Sequence, residues 1–133
     1  MFLLDTNVIS ETAKLRPNSA VMNWLASVPK SSVFLSSVTI ADLQRGAERA
    51  RNHDPAKAER LEAWIDALIE THHCLSFDVE AAKEWARMLP KATNQNAEDA
   101  MIAAIARAHR LTVVTRNLKD FTAFGVSLFN PFD

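Results

Sequence analysis

Asp5, Asp42, Asp99 and Asn117 are the side chains whose chemistry and placement stand out in this sequence. Asp5 directly follows the apolar run Phe2-Leu3-Leu4, and Asn117 lies just beyond a second run, Leu111 to Val114. Asp99 falls in the first turn of an expected helix, where the macrodipole favours a carboxylate, and Asp42 about one turn into another. Carboxylate and amide oxygens are the ligands of hard cations such as Mg²⁺ and Mn²⁺. A cation held by Asp5 and Asp99 would acidify a water for attack on a phosphodiester and neutralise charge on the scissile phosphate. Without a cation, the same acids would repel one another and any phosphodiester substrate. Taken singly, each has an ordinary structural explanation: Asp5 as the N-cap of Thr6 to Glu11, Asp99 as a first-turn acid, Asp42 as a solvated helix residue. Only their convergence points to chemistry.

The elements that must position them follow from hydrophobic periodicity. Phe2–Leu4, Val33–Leu35, Cys74–Phe77 and Leu111–Val114 read as short buried strands, with a last one within Val126–Phe129. Between them, Val21, Trp24, Leu25 and Val28 form a helical stripe after Pro17-Asn18-Ser19. Ile40, Leu43 and Ala47 form a second, capped by Ser37 or Thr39. Asp54-Pro55 opens a helix carrying Leu61, Trp64, Ile65 and Leu68. Asp78 opens another with Val79, Ala82, Ala86 and Leu89, which stops near Pro90. A polar loop over 91–96 precedes the helix that starts near Ala97 and carries Met101, Ile102 and Ile105. Alternating strands and helices predict an α/β domain over residues 1–133 with a short, largely parallel sheet flanked by helices. Ligands in such sheets sit beyond the carboxyl ends of the strands, where Asp5 and Asn117 fall.

Composition narrows the classes. The net charge of −1 argues against a protein that coats nucleic acid by charge alone, while leaving room for signed patches. Gly46 and Gly125 are the only glycines, so no glycine-rich phosphate loop can be written. One cysteine, Cys74, excludes an internal disulfide and fits a reducing cytoplasm. The early acid at Asp5 interrupts any signal-peptide core and no run reaches the length of a membrane span, so the expectation is a cytoplasmic protein. His72-His73-Cys74 lacks a fourth ligand for zinc. The tryptophans Trp24, Trp64 and Trp85 all read as packing residues on amphipathic helices.

Leu3-Leu4-Asp5-Thr6-Asn7-Val8-Ile9-Ser10-Glu11, Ser37 to Gly46, Glu98-Asp99-Ala100-Met101-Ile102-Ala103-Ala104, Val114-Thr115-Arg116-Asn117 with Asp120-Phe121, and Phe129-Asn130-Pro131 occur in this order. Together they resemble PIN-domain toxins of the VapC type, in particular the FitB-like branch, over almost the whole chain. The resemblance implies a dimeric endoribonuclease, dependent on Mg²⁺ or Mn²⁺, that is the toxin of a bacterial toxin–antitoxin pair. It also implies inhibition by a cognate VapB-like antitoxin, through which the complex reaches its operator DNA. Carried over by motif, Asp5 and Asp99 match the core metal ligands, Thr115 a hydroxyl near the metal, and Asn7 a polar support of the first acid. Asp42 falls where the family usually has glutamate, and Asn117 where it often has aspartate. A shorter arm and a missing charge predict a site that holds one cation well and a second poorly. Asp120 would supply a replacement carboxylate if the turn after Asn117 is helical.

Arg116 is the better candidate for a substrate phosphate, and Arg45 a second, on a helix face shared with Arg49. Arg49 and Arg51 read as a solvated helix end. Gly46, one turn after Asp42, leaves two explanations: close approach of a ligand to the backbone, or tight helix packing. Two further readings of the chain are a non-catalytic PIN-like protein-binding module and an aspartyl-phosphate phosphotransferase. The latter usually carries a second Asp where this chain has Asn7.

Overall fold

The computed structural model of the chain describes residues 1–91 and 97–132. Among them, strands β1 (Phe2–Leu4), β2 (Val33–Ser36), β3 (His73–Leu75), β4 (Thr112–Val114) and β5 (Leu128–Phe129) form one sheet in the order β3-β2-β1-β4-β5, every pair parallel. Parallel neighbours require crossovers, which the helices supply: α1 (Thr6–Glu11), α2 (Ser19–Ser27), α3 (Ser37–Arg51), α4 (Pro55–Thr71), α5 (Val79–Met88) and α6 (Ala97–His109). Alternation along each strand divides the core. Leu4, Val33, Leu35 and Val114 face one side, with Val8, Val21 and Leu68 of the first helices. Leu3 and Val113 face the other, under the nearly all-round buried α6 from Ala100 to Ala106. The chain runs outward from β1 through β2 to β3 and then returns to place β4 on the opposite side of β1. The crevice where strand order reverses therefore lies between the ends of β1 and β4.

Several local expectations need correction. The N-cap of α3 is Ser36, not Ser37 or Thr39: its Oγ accepts the Thr39 N–H at 3.1 Å. Ser37 instead accepts the N–H of Phe77, which holds the exit of β3. That strand is His73–Leu75 rather than Cys74–Phe77. On α5 the buried stripe is Ala81 and Met88, with Trp85 half-buried beside them, while Val79 is 76% exposed and Leu89 is exposed. Alanines at 81, 82 and 86 make two stripes equally apolar in sequence, and only packing against α6 selects one. The last strand is confined to two residues, Leu128 and Phe129. Of the expected loop over 91–96, Lys91 closes a short 3₁₀ turn with Leu89, and 92–96 lie outside the described residues.

Candidate active site

Asp5 sits where β1 ends in the crevice, its backbone N–H bonded to the carbonyl of Val114 on β4 at 2.9 Å. The residue is 6% exposed, and its carboxylate is satisfied on both oxygens. Oδ1 accepts the N–H of Thr6 at 2.8 Å, so Asp5 caps α1 as well as facing the site. Oδ2 accepts the hydroxyl of Thr115 at 2.8 Å and the amide of Asn7 at 3.3 Å. Thr115 is fully buried at the end of β4 and also accepts the N–H of Asn117 at 3.0 Å. Asn7 Oδ1 accepts the N–H of Arg116 at 3.2 Å. Asn7 and Thr115 thus lock the first acid to the turn after β4. Asn7 supports Asp5 as a donor, in the place where an aspartyl-phosphate phosphotransferase has its second acid.

Asp42 and Asp99 approach from α3 and α6. Asp42 Oδ2 accepts the hydroxyl of Thr6 at 3.0 Å, and Oδ1 pairs with Arg45 at 2.8 Å. Arg45 bridges on to Glu98 at 2.6 Å, tying α3 to the first turn of α6. Burial is the largest cause that raises the pKa of Asp5, tempered by its bonds from Thr115 and Thr6. Asp42 is raised by burial and by Glu98, against the pull of Thr6 and Arg45. Asp99 is pushed up to about 7, first by burial and then by the negative charges of Asp5, Asp120, Glu98 and Asp42. These acids from four separate segments therefore feel one another across a single site.

Asn117 reaches the site through its backbone; its exposed side chain makes no cap for the following 3₁₀ turn, Leu118–Asp120. That turn is helical, and it brings the charge of Asp120 to bear on Asp5 and Asp99. The exposed Arg116 lays its guanidinium over the ring of Phe132, 3.9 Å from the centroid. Thr6, Glu98 and Ser36 take part in the site without a site role expected from the sequence. Thr6 and Glu98 each carried one signal there, adjacency to Asp5 and to Asp99.

Among the described residues no three His, Cys, Asp or Glu side chains form a ready-made metal cage. The donor chemistry still fits a hard cation that keeps water and substrate oxygens as its other ligands. The site combines carboxylates that raise one another's pKa with a rigid, hydrogen-bonded first acid. His72 bonds the Leu68 carbonyl through Nδ1, as a structural side chain does.

A family model described as PIN domain matches residues 2–125. The toxin FitB of Neisseria gonorrhoeae is 39% identical over 99% of both chains. A protein of Sinorhizobium fredii named VapC ribonuclease Y4jK is 33% identical, covering 100% of this chain and 99% of that one. Among solved structures, FitAB bound to an IR36 DNA fragment superposes with a TM-score of 0.83 at 36% identity, over 100% of this chain and 96% of the other. No helix among the described residues is long and apolar enough to cross a membrane.

Proposed function

The chain belongs to the PIN-domain family, among the VapC and FitB toxin ribonucleases, and from that membership we propose that it is a metal-dependent endoribonuclease acting as the toxin of a type II toxin–antitoxin pair. The observation that carries this reading is the convergence of acids at the sheet's switch point, where burial first, and then the charges of Asp5, Asp120, Glu98 and Asp42, raise Asp99 to about 7. Asp5 and Asp99 would hold Mg²⁺ or Mn²⁺, which supplies charge neutralisation at the scissile phosphate and acidifies the attacking water. Thr115, Asn7 and the N–H of Thr6 keep the Asp5 carboxylate in one orientation, so that it need not reorganise during the reaction. Asp42, engaged by Thr6 and Arg45, supports the site from α3, and Asn117 offers a neutral oxygen at its rim. Arg116 is the phosphate contact on the β4 side.

Complexes such as FitAB with DNA support a cognate VapB-like antitoxin as partner, with operator DNA reached only through it. A homodimer in the cytoplasm completes the proposal. The test is cleavage of a structured RNA pool by the antitoxin-free protein in Mg²⁺, Mn²⁺ or EDTA, alongside Asp5→Asn and Asp99→Asn. Cleavage that needs both metal and both acids supports the reading. Silence of the wild type on every RNA, with metal binding intact, would favour a protein-binding module.

A further inference from the structure

We propose that the groove between α1, α3 and α4 is the track along which the backbone of single-stranded RNA leaves the cleavage site, held by Arg49 and Lys57. The inference rests on the nuclease reading and adds where the substrate runs. The groove encloses about 530 Å³ and begins at Thr6 and Asp42, which also belong to the candidate active site. From there it continues past Gly46 and Arg49 to His53 and Lys57. On α3 the positions 42, 46 and 49 recur at helical spacing, so they share one face, and 42 to 49 spans about 10 Å along the axis, with His53 just beyond the helix end. Such a length accommodates more than one phosphate.

Charge identifies the occupant. Lys14, Arg45, Arg51, Arg87 and Arg107 are each committed to an ion pair with a carboxylate. Of the several cations with no carboxylate partner among the described residues, Arg49 and Lys57 are the two that line this groove, and both are exposed. Unpaired cations that face a shared trough complement a phosphate backbone. The floor is apolar, with the half-buried Trp64 offering a ring to a base. Gly46 gives an independent sign. A mid-helix glycine weakens a helix relative to alanine, and here tight packing does not explain it: a Cβ built at Gly46 meets nothing within 4 Å. The bare backbone faces the groove, where a ribose or phosphate can approach closely.

The test measures binding of a labelled oligouridine to the full chain by fluorescence anisotropy in Ca²⁺ over a range of salt. The variants are Arg49→Ala/Lys57→Ala, Gly46→Leu, and Lys83→Ala on the distant α5 as control, each checked for a native melting transition. The double variant is expected to weaken binding at least about tenfold and to flatten the salt slope by about 0.7 for each phosphate no longer neutralised. Gly46→Leu is expected to weaken binding with the slope unchanged, because it removes space and not charge. Lys83→Ala should match the wild type. Equal affinity and slope in the double variant and the control would overturn the track, as would a wild type that does not bind the oligonucleotide. Retained RNA binding together with loss of an acidic protein partner would also overturn it and give the groove to that partner. A wild type that binds through these residues yet never cleaves leaves the track standing and sinks the nuclease, whereas cleavage with unchanged KM in the variants does the reverse.

Discussion

Asp5 performs two tasks with one carboxylate, capping α1 through Oδ1 while Oδ2 takes the Thr115 hydroxyl. Asp5→Asn and Asp99→Asn are expected to lower metal-dependent cleavage by more than about 100-fold, since each removes a proposed ligand. Thr115→Val acts one step out, where losses of about 10–100-fold in metal affinity or activity are usual; titration calorimetry with Mn²⁺ ranks the three. Protonation couples the same residues to stability. Asp99 is raised to about 7 from an ordinary 3.8, and Asp5 and Asp42 are raised too, so the folded chain binds more protons than the unfolded one in that window. The resulting stability is fully present in acid below the ordinary carboxylate value and is lost as pH rises through about 7. The melting temperature of the metal-free protein should therefore fall as pH rises from about 5 to 7 and level off above that. Mg²⁺ or Mn²⁺ should flatten that slope by balancing the charge. A melting temperature that rises over this range would contradict the arrangement of acids.

At the scale of elements, α3 and α5 carry the informative tests. Gly46→Ala on α3 should stabilise the chain by up to about 1 kcal/mol, because alanine is the better helix former and the site has room. Urea midpoints give the value, and a destabilised variant would mean that the groove is not open there. On α5, Met88→Ala should cost about 2–5 kcal/mol, as for other buried large-to-small changes, whereas Val79→Ser, at a position 76% exposed, should stay within about 0.5 kcal/mol. The reverse order would restore the stripe suggested by sequence periodicity. Arg45 links α3 to α6 through exposed ion pairs with Asp42 and Glu98. Its contribution to stability is small for that reason; its effect is to hold two acids of different helices beside one another.

For the whole molecule, a cation that binds only the folded site raises stability by mass action, by about 2.7 kcal/mol at a hundredfold excess over Kd. Mn²⁺ should thus raise the melting temperature of the wild type but not of Asp5→Asn or Asp99→Asn, a result readable without any RNA. Sequence alone determined the alternating α/β order, most caps, and the placement of Asp5 and Asn117 at strand ends, because periodicity, capping and strand-end location are local properties of the chain. It also carried the motifs by which the chain resembles its family. Tertiary structure decided what depends on neighbours from distant segments. It chose the Ala81–Met88 face of α5 over an equally apolar one, and it drew Arg45 into ion pairs with Asp42 and Glu98. It brought Thr6 and Asp120 to the acids and set Arg49 and Lys57, without a carboxylate partner among the described residues, along a groove. Local pattern specifies which faces are apolar and which residues carry charge; which charges meet is set by strand order and helix packing, since Coulombic and hydrogen-bond partners act through space and not along the chain.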